Sequence, residues 1–189
     1  MKITVIGTGG VGGYFGARLA LTGVPWVARG RPLDAIRRDG LRMESPAKPA
    51  HVKPVTAVAD ARDIPAADAI FFAVKMADTE TAAESLKGLT AAGAAVFTFQ
   101  NGVESAERIG RVVGAGAVVP GVARISSHIS APGVITQVGT FASIEFGEPD
   151  GKPSARATAL YDACKAADID VRLSPNIQRA LWMKFAMLA

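Results

Sequence analysis

The chain is short of cysteine, histidine and aromatic residues. In 189 residues it has one cysteine, two histidines and two tryptophans, and aromatic side chains make up 6%. A single thiol excludes a disulfide framework within the chain and argues against a Cys-based zinc site. Cys164 falls in a helical stretch and reads as a small buried hydrophobe. His51 and His128 have no acidic partner nearby in sequence, so both read as structural and no metal is expected. No apolar run approaches a membrane span, and one lysine leads directly into a strand where a signal peptide would have its apolar region. A reducing, cytoplasmic setting without a membrane partner is expected. Charge excess is also small, with 21 Lys and Arg against 17 Asp and Glu, a net +4. Only Arg29, Arg31, Arg37 and Arg38 cluster, and no aromatic-rich surface accompanies them. That favours a small anionic molecule over nucleic acid.

The hydrophobic content, by contrast, is ample at 49%, enough for one large domain or one domain plus part of another. The chain opens on an apolar strand, Ile3-Thr4-Val5-Ile6, that runs into Gly7-Thr8-Gly9-Gly10-Val11-Gly12. Helical periodicity follows over Tyr14–Leu21 and stops at Gly23. This is the strand–turn–helix setting that a Gly-x-Gly-x-x-Gly motif needs in order to bind a dinucleotide. Gly7 permits the tight turn, Gly9 lets a pyrophosphate approach the backbone, and Gly12 lets helix and sheet lie close. Free N–H groups at the helix start, with its dipole, would hold the phosphates.

Strand and helix patterns then alternate. Strands are expected at Val24–Ala28, Ala69–Val74, Ala94–Phe99 and Ala117–Val119, and helices at Leu33–Arg38, Asp78–Leu89 and Glu104–Val113. Short extended pieces, Leu41–Glu44 and Val52–Val58, flank a Pro-rich segment. The continuous apolar runs suit parallel strands covered on both faces. The fold class expected is α/β, a Rossmann-type doubly wound, mostly parallel sheet. Antiparallel strands are added on the C-terminal side, at Arg124–Ser130, Val134–Val138 and Phe141–Phe146, with a turn at Gly139-Thr140. A helix at Ser154–Ala167 and a strand at Asp170–Leu173 follow. The last helix is expected from Pro175, capped by Ser174, and no stop signal precedes Ala189. More protein is therefore expected after it, and its apolar face needs a further domain or a partner subunit, as in a homodimer.

A dinucleotide fold that binds NAD carries an acidic residue about 20 positions past the motif, at the end of the second strand. Here that place reads Val27-Ala28-Arg29-Gly30-Arg31. A guanidinium there complements a 2′-phosphate, so NADP (NADPH) is the expected cofactor, with Arg29 as its phosphate ligand. Ligands of such sheets bind beyond the carboxyl ends of the strands. Lys75 and Gln100-Asn101-Gly102 stand there. Each has a plain alternative, Lys75 as a charge at a strand exit and Asn101 as a turn residue before glycine. On the last helix Ile177, Leu181, Lys184 and Leu188 share one stripe. A lysine among apolar neighbours is partly desolvated, which lowers its pKa and makes it a usable general acid; the alternative is a lysine snorkelling at the stripe's edge.

Taken together, GTGGVGGYFGARLA, the ARG after the second strand, AVK at Lys75, QNGVES at Asn101 and ALWMKF around Lys184 resemble the ketopantoate reductase (2-dehydropantoate 2-reductase) family. The resemblance runs over essentially the whole chain. It implies reduction of the keto group of ketopantoate by NADPH, a step toward pantothenate and coenzyme A. It implies that Lys184 protonates the developing alkoxide, that Lys75 and Asn101 line the nicotinamide and the 2-keto acid, and that Arg29 binds the 2′-phosphate. It also implies a domain over 1–173 and, in 174–189, the first helix of a helical domain. Where the family has asparagine one turn after the lysine, this chain has Leu188. Departing from ketopantoate itself, a related or more apolar 2-keto acid fits that change. A different NADP-dependent hydroxyacid dehydrogenase, or a dinucleotide-binding or redox-sensing module without catalysis, are the alternatives.

Overall fold

In the computed structural model the protein is described over residues 1–20, 26–27 and 31–188, without the side chains of 26, 27 and 31. The chain runs β1 (Ile3–Ile6), α1 (Gly10–Ala20), β2 (Trp26–Val27), α2 (Arg31–Asp39), β3 (Leu41–Glu44), β4 (Ala50–Val52) and β5 (Ala57–Val58). It continues through β6 (Ala69–Phe72), α3 (Thr79–Glu84), α4 (Lys87–Ala91), β7 (Ala95–Thr98) and α5 (Ser105–Val113). It closes with β8 (Val118–Ala131), β9 (Val134–Phe146), α6 (Ala155–Ala166), β10 (Asp170–Leu173) and α7 (Ile177–Leu188).

The strands form one sheet in the order β4-β3-β9-β8-β7-β6-β1-β2-β5, with β10 beside β9. From β5 to β8 all neighbours are parallel, which is the doubly wound half the sequence predicts. Strands β6 and β7 are buried along their whole length. One face, with Phe71, Phe97 and Phe99, shares a core with α1 and α6, and the other, with Ile70, Phe72 and Val96, is covered by α3, α4 and α5. Phe71 stacks on Phe99 at 4.2 Å, and Phe99 meets Phe146 edge-on, carrying the core from the parallel half into β9.

The outer half differs from expectation in instructive ways. The pieces expected at Ala117–Val119 and Arg124–Ser130 are one 14-residue strand, β8. Pro120 does not break it, because β8 changes partners there: its pairing with β7 ends at Pro120 and its antiparallel pairing with β9 begins at Gly121. The ring of Phe99 fills the space a side chain at Gly121 would need. The turn expected at Gly139-Thr140 is instead a bulge inside a single strand, β9. Between the pairs Ile125–Ala142 and Ser127–Gln137, β8 advances two residues while β9 advances five. Gly139 takes φ +73°, and Gln137 Nε2 closes the excursion by donating to the Phe141 carbonyl at 3.2 Å. Among the described residues only β8–β9 and β3–β4 are antiparallel, while β3 and β10 both run parallel to β9.

Two helices also start or stop differently. The helix expected over Asp78–Leu89 is a short 3-10 turn followed by α3 and α4. Ser85 bonds its own backbone and hydroxyl back to Ala82, which interrupts the ladder. The last helix begins at Ile177, later than Pro175, because Asn176 is the cap, accepting from the Arg179 N–H at 3.0 Å. The Ser174 hydroxyl is committed to Glu145. The second strand, expected over Val24–Ala28, is described only at Trp26–Val27.

Helix α1 is buried on nearly all sides because the sheet curls around it, bringing β3, β8 and β9 over the helix. A side chain at Gly10 would strike the Ser127 carbonyl of β8, and one at Gly13 would come 2.5 Å from Ile135 of β9. Gly10→Ala is therefore expected to lower stability by about 2 kcal/mol, since a backbone carbonyl gives way less readily than a side chain. Urea unfolding should show a lower midpoint with an unchanged slope.

Candidate active site

The glycine turn sits at the carboxyl end of β1. Gly7 has φ +99°, and a Cβ there would lie 2.8 Å from the Val74 backbone nitrogen, so the turn rests directly on the exit of β6. Gly12 abuts the Gly7 carbonyl, which seats the helix on the turn. Gly9 is different: nothing lies within 4 Å of the position a side chain would take. Its carbonyl accepts the first helical bond, from Gly13 N–H, at 2.7 Å. Open space beside the N-terminus of α1 fits a diphosphate. Thr8 is buried, and Val11 packs its side chain against the main core, so both would meet a cofactor through their backbone. Gly10 has its missing side chain's place taken by Ser127, which makes it a packing glycine first.

Arg29 lies outside the described residues. Of its sequence neighbours, Arg37 donates from Nε to the Ala57 carbonyl at 2.9 Å and Arg38 pairs with Asp39 at 2.6 Å. The basic cluster is thus not a patch of free cations among the described residues.

Beyond β6 and β7 the two strand exits are tied together by a buried amide. Gln100, 5% exposed, donates from Nε2 to the Val74 carbonyl at 3.0 Å and to Thr79 Oγ1 at 2.9 Å. Its Oε1 accepts from Thr98, whose hydroxyl also reaches Ser105. This fixes the backbone on either side of the crevice: Lys75 follows Val74, and Asn101 follows Gln100. Lys75 is exposed, and its ammonium makes no hydrogen bond or ion pair among the described residues. It does not join the other two predicted groups.

Asn101 and Lys184 do come together, although 83 positions separate them. Helix α7 packs Ile177, Ala180 and Leu181 on Val122 of β8. One turn on, Lys184 Nζ donates to Asn101 Oδ1 at 2.7 Å and to the Ala123 carbonyl at 2.6 Å. Burial lowers the Lys184 pKa from its ordinary value, and the nearby Arg124 guanidinium lowers it further. The apolar stripe holds at its first half only, since Leu188 is 65% exposed. Arg124 is in turn bonded to Glu145 at 3.0 Å, and Glu145 accepts from Ser174 at 2.8 Å. Gln100 stands in the stretch named past the buried strand but is given no role of its own there, while the Ala123 carbonyl and Arg124 carry the geometry without being named as site groups. The carbonyl has no sequence signal.

Residues 3–151 match the family described as Ketopantoate reductase PanE/ApbA. The chain belongs to that family. It is 30% identical over 207 aligned residues to a 2-dehydropantoate 2-reductase of Mesorhizobium japonicum, covering 97% of this chain and 63% of that protein. A crystal structure of 2-dehydropantoate 2-reductase from Porphyromonas gingivalis superposes with a TM-score of 0.91 at 31% identity, covering 100% of this chain and 69% of the other. The fold is shared more widely: a D-mandelate dehydrogenase solved with NADH and anilino(oxo)acetate superposes at 0.84 with 21% identity, over 97% of this chain and 60% of the other. The chain thus spans somewhat less than two thirds of the Mesorhizobium reductase. Among the described residues no helix is long and apolar enough to cross a membrane.

The arrangement offers an open helix N-terminus on one side of the crevice and an ammonium with a lowered pKa on the other. A lowered folded-state pKa means that folding disfavours the charged amine. That cost is present below the folded pKa and is relieved as pH rises through it. Lys184→Met should therefore compare more favourably with the wild type in Tm at neutral pH than at alkaline pH. The comparison should turn less favourable as pH approaches the ordinary lysine value of about 10.4. Calorimetric melts at several pH values test this.

Proposed function

We propose that the protein reduces the keto group of ketopantoate, or of a related 2-keto acid, to the hydroxy acid with NADPH. The observation that carries the reading is the ammonium of Lys184, held by Asn101 and the Ala123 carbonyl at 2.7 and 2.6 Å. A nicotinamide dinucleotide bound along the glycine turn would supply the hydride. The peptide N–H groups at the start of α1 hold its diphosphate, and Arg29 holds its 2′-phosphate. Lys184 is the catalytic residue: it donates a hydrogen bond to the substrate carbonyl oxygen and gives up its proton to the alkoxide that forms. Asn101 orients that ammonium and lines the nicotinamide side of the pocket. Lys75, untethered at the rim, contributes positive potential that draws in an anionic substrate.

Family membership and the match to proteins named 2-dehydropantoate 2-reductase support this reading, and with it a place in pantothenate and coenzyme A synthesis in the cytoplasm. Leu188 stands on the Lys184 side of α7 and is largely exposed, which suits a substrate with an apolar substituent as well as ketopantoate. Residues 1–173 are read as the cofactor domain and 174–189 as the first helix of a second, helical one. The second half of α7 supports this, because Trp182, Phe185, Met187 and Leu188 are all exposed and apolar. In a homodimer the partner could cover part of the same face.

The test is NADPH oxidation with ketopantoate and a panel of 2-keto acids. Saturable turnover is expected, with Lys184→Ala lowering kcat by about a hundredfold or more. Arg29→Asp should reverse a preference for NADPH over NADH. Cofactor binding without turnover of any keto acid would count against the reductase.

A further inference from the structure

We infer that Arg124 is the residue that selects substrates bearing a carboxylate, its guanidinium binding that group while Lys184 takes the adjacent carbonyl oxygen; this rests on the reductase reading above. Side chains alternate along β8. Val122 packs with α7, whereas Ala123 and Ile125 turn to the main core around α1. Arg124, two residues past Val122, therefore stands on the α7 face. The residue between them, Ala123, gives its carbonyl to Lys184. Both cations thus meet on one side of β8 just past Pro120, where its pairing with β7 has ended, at the mouth of the crevice.

Their surroundings leave charge to be matched. Lys184 is held by two neutral acceptors, Asn101 Oδ1 and a peptide carbonyl. Among the described residues Arg124 has one hydrogen-bond partner, Glu145 Oε2, bonded through Nη1 at 3.0 Å. The other oxygen of Glu145 is occupied by Ser174, so the carboxylate is fixed from both sides and fixes the guanidinium in turn. Nε and Nη2 of Arg124 make no hydrogen bond among the described residues. Among the described residues Arg124 has one carboxylate partner and Lys184 has none, and a planar fork of donors stays open. A carboxylate joined directly to a carbonyl complements this pair: the fork takes two oxygens of the acid and the ammonium takes the third. Lys75 is the rival anchor, but its ammonium is exposed and untethered, a point charge without fixed direction.

The experiment is calorimetric binding of ketopantoate and of its carboxamide to the NADP+-loaded protein, in which no hydride is available and nothing turns over. The wild type should prefer the acid by about 100-fold in Kd, the scale of a charge-assisted bidentate pair. Arg124→Met combined with Glu145→Gln leaves no orphan carboxylate and should bring the two ligands within about threefold, with NADP+ affinity and Tm retained. Arg124→Lys should keep part of the preference, and Lys75→Met, which removes only diffuse potential at the rim, should lower it by no more than about threefold. A double variant that still binds NADP+ and still prefers the acid 100-fold overturns the proposal, as does loss of the preference in Lys75→Met or its absence in the wild type. Acid-selective binding lost in the double variant, with no NADPH oxidation by any keto acid, would instead remove the reductase reading and leave the anchor standing.

Discussion

Where α1 meets the turn and the sheet, no side chains hold the backbones apart. Gly12 rests on the carbonyl of Gly7, Gly10 on Ser127 and Gly13 on Ile135. Glycine in a helix interior costs up to about 1 kcal/mol per residue relative to alanine, so Gly12 and Gly13, past the first residue of α1, carry a penalty. Close approach on several sides offsets it, with the aromatic side chains of Tyr14 and Phe15 buried in the same helix. The curl of the sheet follows from this contact. Because β8 and β9 can come down onto the helix, they extend past the parallel half, and β9 can recruit β3 and β10.

The same close seating joins the two halves of the candidate site. Gly7 rests on the backbone at Val74, Val74 is held by Gln100, and Gln100 leads into Asn101. Asn101 receives Lys184, whose other bond is to the β8 strand that covers α1. The chain of contacts is short and mostly backbone or buried amide. A cofactor-side displacement at Gly7 therefore has few side-chain rotations available to absorb it before it reaches the ammonium.

Much of this was legible from residue order. The glycine turn, the apolar runs at β6 and β7 and the parallel half of the sheet follow from periodicity and turn chemistry. Lys184 was visible as a charged residue on an apolar stripe, and Asn101 as a polar residue past a buried strand. What could not be read was who meets whom across the outer sheet. Pro120 and Gly139 look like breaks locally, yet tertiary pairing carries both strands through them, one at a change of partner and the other as a bulge. The cap of α7 went to Asn176 because Glu145, distant in sequence, claims Ser174. Arg124 and the Ala123 carbonyl were hidden for the same reason, since a strand's two faces acquire meaning only once its neighbours are known.

The pairing of β3 with β9 has a consequence for how the chain acquires its shape. Residues 42–44 find their parallel partners at 134–136, and α1 obtains its cover of β8 and β9 from the same distant segment. Contacts so far apart in sequence must close a long loop before they return any stabilisation, which slows their formation. During synthesis β8 and β9 cannot close over α1 until residues 118–146 have emerged. In that interval the β3–β4 hairpin has no sheet to join and leaves an unpaired edge. The tight seat that makes the folded protein coherent thus forms late, and it leaves apolar surface uncovered for longer than a seat built from local contacts would.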